Sequence, residues 1–112
     1  MKETLLCRLD DIAKGGSAAF AAHIGGARTG VMALRRDGTV FVYVNSCPHM
    51  GEPLDFQSGR FLNLERTHVL CSNHDALFRI EDGYCVHGPC AGKSLLQSVE
   101  ARVGDGEVRI RG

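Results

Sequence analysis

A chain of 112 residues is the size of one domain and can bury one modest core. Its 13 lysines and arginines balance 13 aspartates and glutamates with no run of like charge, which excludes recruitment of nucleic acid or anionic membrane by a net field. Five cysteines, an odd number, argue against a secreted disulfide framework.

Residues 1–112 are therefore expected to form a single domain. The start, Met1 to Asp10, is broken by charge before a signal-peptide apolar region forms, and no apolar stretch reaches membrane-spanning length. A cytoplasmic protein is the expectation. Residues 4–9 read as a short strand, followed by Asp10-Asp11-Ile12-Ala13 and a break at Gly15-Gly16-Ser17. Residues 18–24, bracketed by Gly15-Gly16 and Gly25-Gly26, are too short for a stable helix and read as an edge strand. Runs at 29–35 and 39–44 are joined through Arg36-Asp37-Gly38, where an Asp-Gly turn between apolar β-rich segments signals a hairpin.

Residues 56–65 show little periodicity. Strands are predicted at 67–70 and 76–80, then a second Asp-Gly hairpin through Glu81-Asp82-Gly83 into Tyr84-Cys85-Val86. Pro89 interrupts, and residues 95–103 and 107–110 form a last hairpin around Gly104-Asp105-Gly106. Short strands, glycine turns and no helix-length periodic segment predict an all-β antiparallel sandwich or barrel.

Two cysteine–histidine pairs stand out against this background. Cys47-Pro48-His49 is a C-x-H motif, and Cys71-Ser72-Asn73-His74 is a C-x-x-H motif, with 21 residues between His49 and Cys71. Thiolates are soft donors and imidazoles borderline ones, so two of each describe a transition-metal site rather than calcium or magnesium. Tetrahedral zinc and the [2Fe–2S] cluster with two histidines on one iron both use that set. Zinc usually takes a tight C-x-x-C turn with a paired H-x-H or H-x-x-x-H, which these mixed loops fit poorly.

The segment Cys47-Pro48-His49-Met50-Gly51-Glu52-Pro53-Leu54-Asp55 resembles the first cluster loop of small Rieske-type ferredoxins. Cys71-Ser72-Asn73-His74-Asp75-Ala76-Leu77-Phe78 resembles the second, and residues 83–95, with Gly88-Pro89, are similar to the hairpin and proline loop that cover the cluster. The likeness spans roughly residues 40–95. It implies a Rieske β fold with a cluster-binding subdomain at about residues 45–92, formed by two loops. It also implies a Rieske [2Fe–2S] cluster whose ligands are Cys47 and Cys71 on one iron and His49 and His74 on the other. Such a protein is an electron carrier, not itself an enzyme; its partners are a flavin-dependent ferredoxin reductase and a terminal oxygenase. The alternatives are a small accessory subunit of a nitrite-reductase-type enzyme, which would need no ligands, and a zinc-binding interaction module.

The resemblance also shows departures. High-potential respiratory members link the cluster loops by a disulfide and donate hydroxyl hydrogen bonds to the cluster; the matching residues here are Glu52 and Asn73, then Ala76 and Phe78. A potential at the low end of the Rieske range follows, about −150 mV rather than +300 mV. Asp75 stands where the family usually has glycine and reads as a turn residue. Cys85 and Cys90 flank Gly88-Pro89 and read as two small, buried, unpaired thiols rather than a redox pair. Cys7 reads as packing, and Phe41, Tyr43 and Phe61 as core. His23, His68 and His87 read as surface residues, with His87 closest in sequence to the proline loop.

Overall fold

The computed structural model describes residues 3–36, 38–46, 54, 61–63, 65–71, 76–88 and 95–111. Its strands are β1 (Glu3–Arg8), β2 (Ser17–Ile24), β3 (Ala27–Arg36), β4 (Thr39–Val44), β5 (His68–Cys71), β6 (Ala76–Arg79), β7 (Cys85–His87), β8 (Ser98–Val99), β9 (Ala101–Gly104) and β10 (Glu107–Arg111). A three-residue 3-10 turn at Leu9–Asp11 is the one helical element among the described residues. The strands form three antiparallel sheets, ordered β1-β10-β9, β2-β3-β4-β8 and β5-β6-β7. The all-β expectation holds.

The four-stranded sheet is the middle layer, and its sequence shows why. Val31-Met32-Ala33-Leu34 on β3 is a continuous buried run without polar alternation. Successive side chains on a strand point to opposite faces, so such a run needs apolar cover on both sides. Met32 and Leu34, with Tyr43 of β4, join one core, shared with Phe61, Val69, Cys71, Phe78 and Cys85. Val31 and Ala33, with Val40 and Val42, join the other, shared with Cys7, Ile12, Val108 and Ile110. One core supports the β5-β6-β7 sheet, and the other is closed by β1 and β10. Cys7, Tyr43 and Phe61 are buried and Phe41 packs against the first core, as the sequence predicts.

Two boundaries depart from expectation. Gly25 and Gly26, at φ +60° and +83°, form a two-residue turn between the paired Ile24 and Ala27. That left-handed backbone suits the twist of a tight hairpin, so β3 begins at Ala27 instead of Thr29. The strand predicted over 95–103 is broken in two. Val99 pairs with Val42 in the middle sheet, whereas Ala101 pairs with Ile110 in another, and the chain crosses at Glu100. One strand cannot lie in both sheets, and no glycine or proline marks the crossing. The hairpin that follows turns at Asp105-Gly106, with Gly104 closing β9.

Tyr43 ties the middle sheet to the β6–β7 hairpin: its hydroxyl donates to the Ile80 carbonyl at 2.6 Å. Burial, with Asp82 and Glu81 nearby, pushes this phenol up to about 12. The folded state therefore holds the proton more tightly than the unfolded chain, whose tyrosines titrate near 10. Stability is intact below about pH 10 and lost as pH rises through 12. Cys7, raised to about 11 by burial and then by Asp11, acts in the same direction. The urea midpoint is expected to fall steeply between pH 9.5 and about 11.5. Tyr43→Phe should flatten part of that fall while costing about 1 kcal/mol at neutral pH, since the Ile80 carbonyl loses its donor. Equal alkaline profiles for the two proteins would overturn this assignment.

Candidate metal centre

Of the four side chains singled out as ligands, Cys71 lies within the described residues; Cys47, His49 and His74 lie outside them, as do Glu52, Asn73, Asp75 and Cys90. The neighbouring segments show how the fold carries the two motifs. Cys71 closes β5 and is directly opposite Ala76, which opens β6. Residues 72–75 therefore connect two paired strands, and the C-x-x-H motif sits at a hairpin end. The strand predicted to position Cys71 is present and includes it.

The first motif leaves from β4. Asn45 donates its backbone N–H to the Gly30 carbonyl at 2.9 Å, and its Oδ1 accepts from the Leu54 N–H at 2.8 Å. That side chain spans the neck of the segment from residue 46 to residue 54. Leu54 is fully buried and belongs to the same apolar cluster as Cys71, Ala76, Phe78 and Cys85. Both motifs thus rise from necks seated on one core.

The third segment is built the same way. Phe78 pairs with Cys85 and Leu77 with His87, leaving Val86 as the extra residue of a bulge. A bulge bends its strand and turns the extra side chain outward, and Val86 is 41% exposed. Beyond His87, Gly88 lies tightly against Ala76: a Cβ there would stand 2.8 Å from the Ala76 Cα. The chain is back at Leu95, which bridges to Tyr84, and the Leu96 N–H donates to the Gly83 carbonyl at 2.8 Å.

Cys85 requires a correction. It is buried as expected, but it is disulfide-bonded rather than an unpaired thiol, and its partner lies outside the described residues. The preference for reduced cysteines in a cytosolic chain concealed this. Cys7 is buried in the other core, away from Cys71. His23 and His87 are exposed; His68 is half-buried and contacts the Thr67 hydroxyl at 2.9 Å.

The surroundings of Cys71 suit a metal–sulfur group in their chemistry. Leu54, Ala76, Phe78 and Cys85 make an apolar wall, and no charged side chain is buried among the described residues. Ala76 and Phe78 carry no hydroxyl, so neither side chain can donate a hydrogen bond. A thiolate placed here is shielded from water.

Three antiparallel sheets, with two loop necks on one core and a buried cysteine at one of them, define an all-β domain. The chain belongs to the Rieske [2Fe–2S] domain family, whose sequence profile matches residues 2–101. Its cofactor is accordingly a Rieske-type [2Fe–2S] cluster.

No curated protein matches the chain. Among solved structures it is similar to the ferredoxin of carbazole 1,9a-dioxygenase from Nocardioides aromaticivorans IC177, at 21% identity and TM-score 0.75, covering 98% of this chain and 97% of that one. It is similar to the Sphingomonas yanoikuyae B1 ferredoxin, at 24% identity and TM-score 0.73, with 99% of each chain covered. A candidate NADPH nitrite reductase small-subunit protein matches at 19% identity and TM-score 0.70, covering 100% of both chains. At these identities the likenesses speak to the fold.

Proposed function

We propose that the chain is a ferredoxin-type carrier that takes one electron from a flavin-dependent reductase and delivers it to a terminal oxygenase. Cys47 and Cys71 would hold one iron of the cluster, and His49 and His74 the other. The cluster, when bound, supplies a one-electron couple. The chain's own residues set where and at what potential. Asn45 and Leu54 fix the neck of the first motif, and the Cys71–Ala76 pair fixes the second. No helix among the described residues is long and apolar enough to cross a membrane, and we place the carrier in the cytoplasm.

The observation that carries this reading is the position of Cys71, buried at a hairpin end on an apolar wall shared with the neck of the first motif. The domain serves as a redox partner. Its cavities of about 510 and 450 Å³ are lined, among the described residues, by Lys14, Arg36 and Arg66 and by residues of β4, β8 and β9, and Cys71 lines neither. An accessory subunit of a nitrite-reductase-type enzyme shares the scaffold but has no need of four ligands, so their presence favours the carrier.

Anaerobically purified protein is expected to be brown, to contain iron and acid-labile sulfide in equal amounts, and to give a reduced Rieske electron paramagnetic resonance signal. Its midpoint should lie near the low end of the family range, about −150 mV, because Ala76 and Phe78 donate nothing to the added negative charge. A midpoint well above zero would defeat the tuning argument. Colourless, zinc-only protein after anaerobic reconstitution would replace the carrier with a zinc-binding module. Co-purification with a large reductase would favour the subunit.

A further inference from the structure

Five of the six strands that end a sheet carry a feature that blocks further pairing. β1 is bulged between Leu5 and Cys7, β9 carries Arg102 within four residues, and β8 is two residues long. β5 is covered by Leu62, which bridges to Val69, and β7 is three residues long with a bulge. β2 has no such feature. It runs for eight residues in unbroken register with β3, from Ser17 opposite Leu34 to Ile24 opposite Ala27, and holds no charged residue of the lysine, arginine, aspartate or glutamate type and no proline. We propose that this edge is a homodimer interface: β2 of a second copy pairs with it antiparallel, about a two-fold axis at Ala21.

The bonds already made fix which backbone groups point outward. Gly16, one residue before β2, accepts the Arg35 N–H through its carbonyl at 3.0 Å. Gly30, opposite Ala21, directs its carbonyl instead to the N–H of Asn45, just past β4. Hydrogen-bonded and non-hydrogen-bonded pairs alternate along an antiparallel ladder. Even-numbered residues of β2 therefore bond to β3, and odd-numbered ones turn their N–H and C=O outward. Ala19, Ala21 and His23 thus present backbone donors and acceptors that no described residue meets. Their side chains are exposed as well.

The occupant is a second copy because the strand is its own complement. With Ala21 opposite Ala21, the outward groups of Ala19 on one copy meet those of His23 on the other. Each such pair exchanges two backbone bonds, giving about six in this register. On the core-facing row Phe20 lies opposite Ala22 and Ile24 opposite Ala18, large against small in every pair. These four residues are half-buried against the core of Cys7, Ile12, Val31 and Val108, so the pairing extends cover over apolar surface that one copy leaves partly open. With 13 basic and 13 acidic residues, the chain has no net charge to hold two copies apart. A single strand pair falls at the low end of specific interfaces, about 1,200 Å² or less in total, so the dimer is reversible and concentration-dependent. It uses no residue of either metal motif.

Sedimentation equilibrium on the full chain is the test. The parent should pass from monomer toward dimer between about 10 and 500 μM, and a monomer throughout overturns the proposal. Ala21→Lys and Ala21→Glu each set like charges opposite one another at the axis and should each weaken association by about fivefold or more. Because the Ala21 side chain is exposed, both variants should keep the parent's far-ultraviolet dichroism and melting temperature. An equimolar mixture of the two should regain at least the parent's affinity, since the two-fold register then sets lysine opposite glutamate. Leu5→Lys adds the same charge at an exposed position on the edge strand β1 and should associate as the parent does. Variants at Ala21 that associate as tightly as the parent place the contact elsewhere and overturn the interface. Equal weakening by Leu5→Lys, or a mixture no tighter than either variant alone, overturns it too.

Discussion

Cys71→Ala is expected to abolish cluster binding while leaving a folded domain. The two consequences separate because the residue sits where two roles meet. As a packing element, Cys71 is small; truncating it removes one sulfur from a buried site at the end of β5 and costs about 1 kcal/mol. The Cys71–Ala76 pairing is made by backbone, and the second core of Cys7, Ile12, Val31, Val108 and Ile110 is untouched. As a proposed ligand, Cys71 would be one of two thiolates that balance the iron charge, and losing one would leave an iron short of a donor. Iron and sulfide should fall more than about tenfold and the visible colour disappear, with far-ultraviolet dichroism preserved. The control is Cys7→Ala, which removes the same atom from a buried strand position in the other core and should keep full iron. Equal iron in the two variants would show that Cys71 is not a ligand.

How much of this was legible beforehand depends on the kind of signal. The β2 edge, the Asp-Gly hairpins and the placement of Cys71 at a strand end were readable, because glycine turns and β-rich runs act locally. The double burial of β3 was not. Val31-Met32-Ala33-Leu34 looks the same in sequence whether a strand lies in a middle layer or a buried edge, and the sheets on either side decide it. The break at Glu100 escaped for a related reason, since the change from one sheet to another is set by pairing partners distant in sequence. The metal motifs stand out in sequence as four donors in mixed pairs, and of the four Cys71 lies within the described residues. The Cys85 disulfide was misread because a rule about cellular compartment was applied where chain path decides.

Gly88→Ala should be the most damaging single substitution outside the ligands. Three glycines separate the contributing causes. At Gly25 the backbone is left-handed, φ +60°, but a Cβ meets nothing within 4 Å, so alanine carries only the conformational cost of about 1–2 kcal/mol. At Gly83, φ +75°, a Cβ would approach the Tyr43 ring at 2.9 Å and the Leu96 Cβ at 3.0 Å, the nearest backbone atom being the Leu96 nitrogen at 3.3 Å. At Gly88, φ is +97° and the nearest atom, at 2.8 Å, is the Ala76 Cα, with the Ala76 nitrogen at 3.3 Å. Backbone in a paired strand cannot step aside as a side chain can, so strain and clash add to about 3 kcal/mol or more. The location decides the phenotype. Ala76 opens β6 directly opposite Cys71, so displacing it disturbs the strand pair from which the C-x-x-H motif leaves. Gly83 lies at the opposite end of the β6–β7 hairpin, beside Tyr43. Gly88→Ala should therefore lose iron readily and shift the reduced paramagnetic signal, whereas Gly83→Ala should lower the melting temperature with the spectrum unchanged. Gly88→Ala matching Gly25→Ala in both stability and iron content would show that the Ala76 contact does not constrain the site.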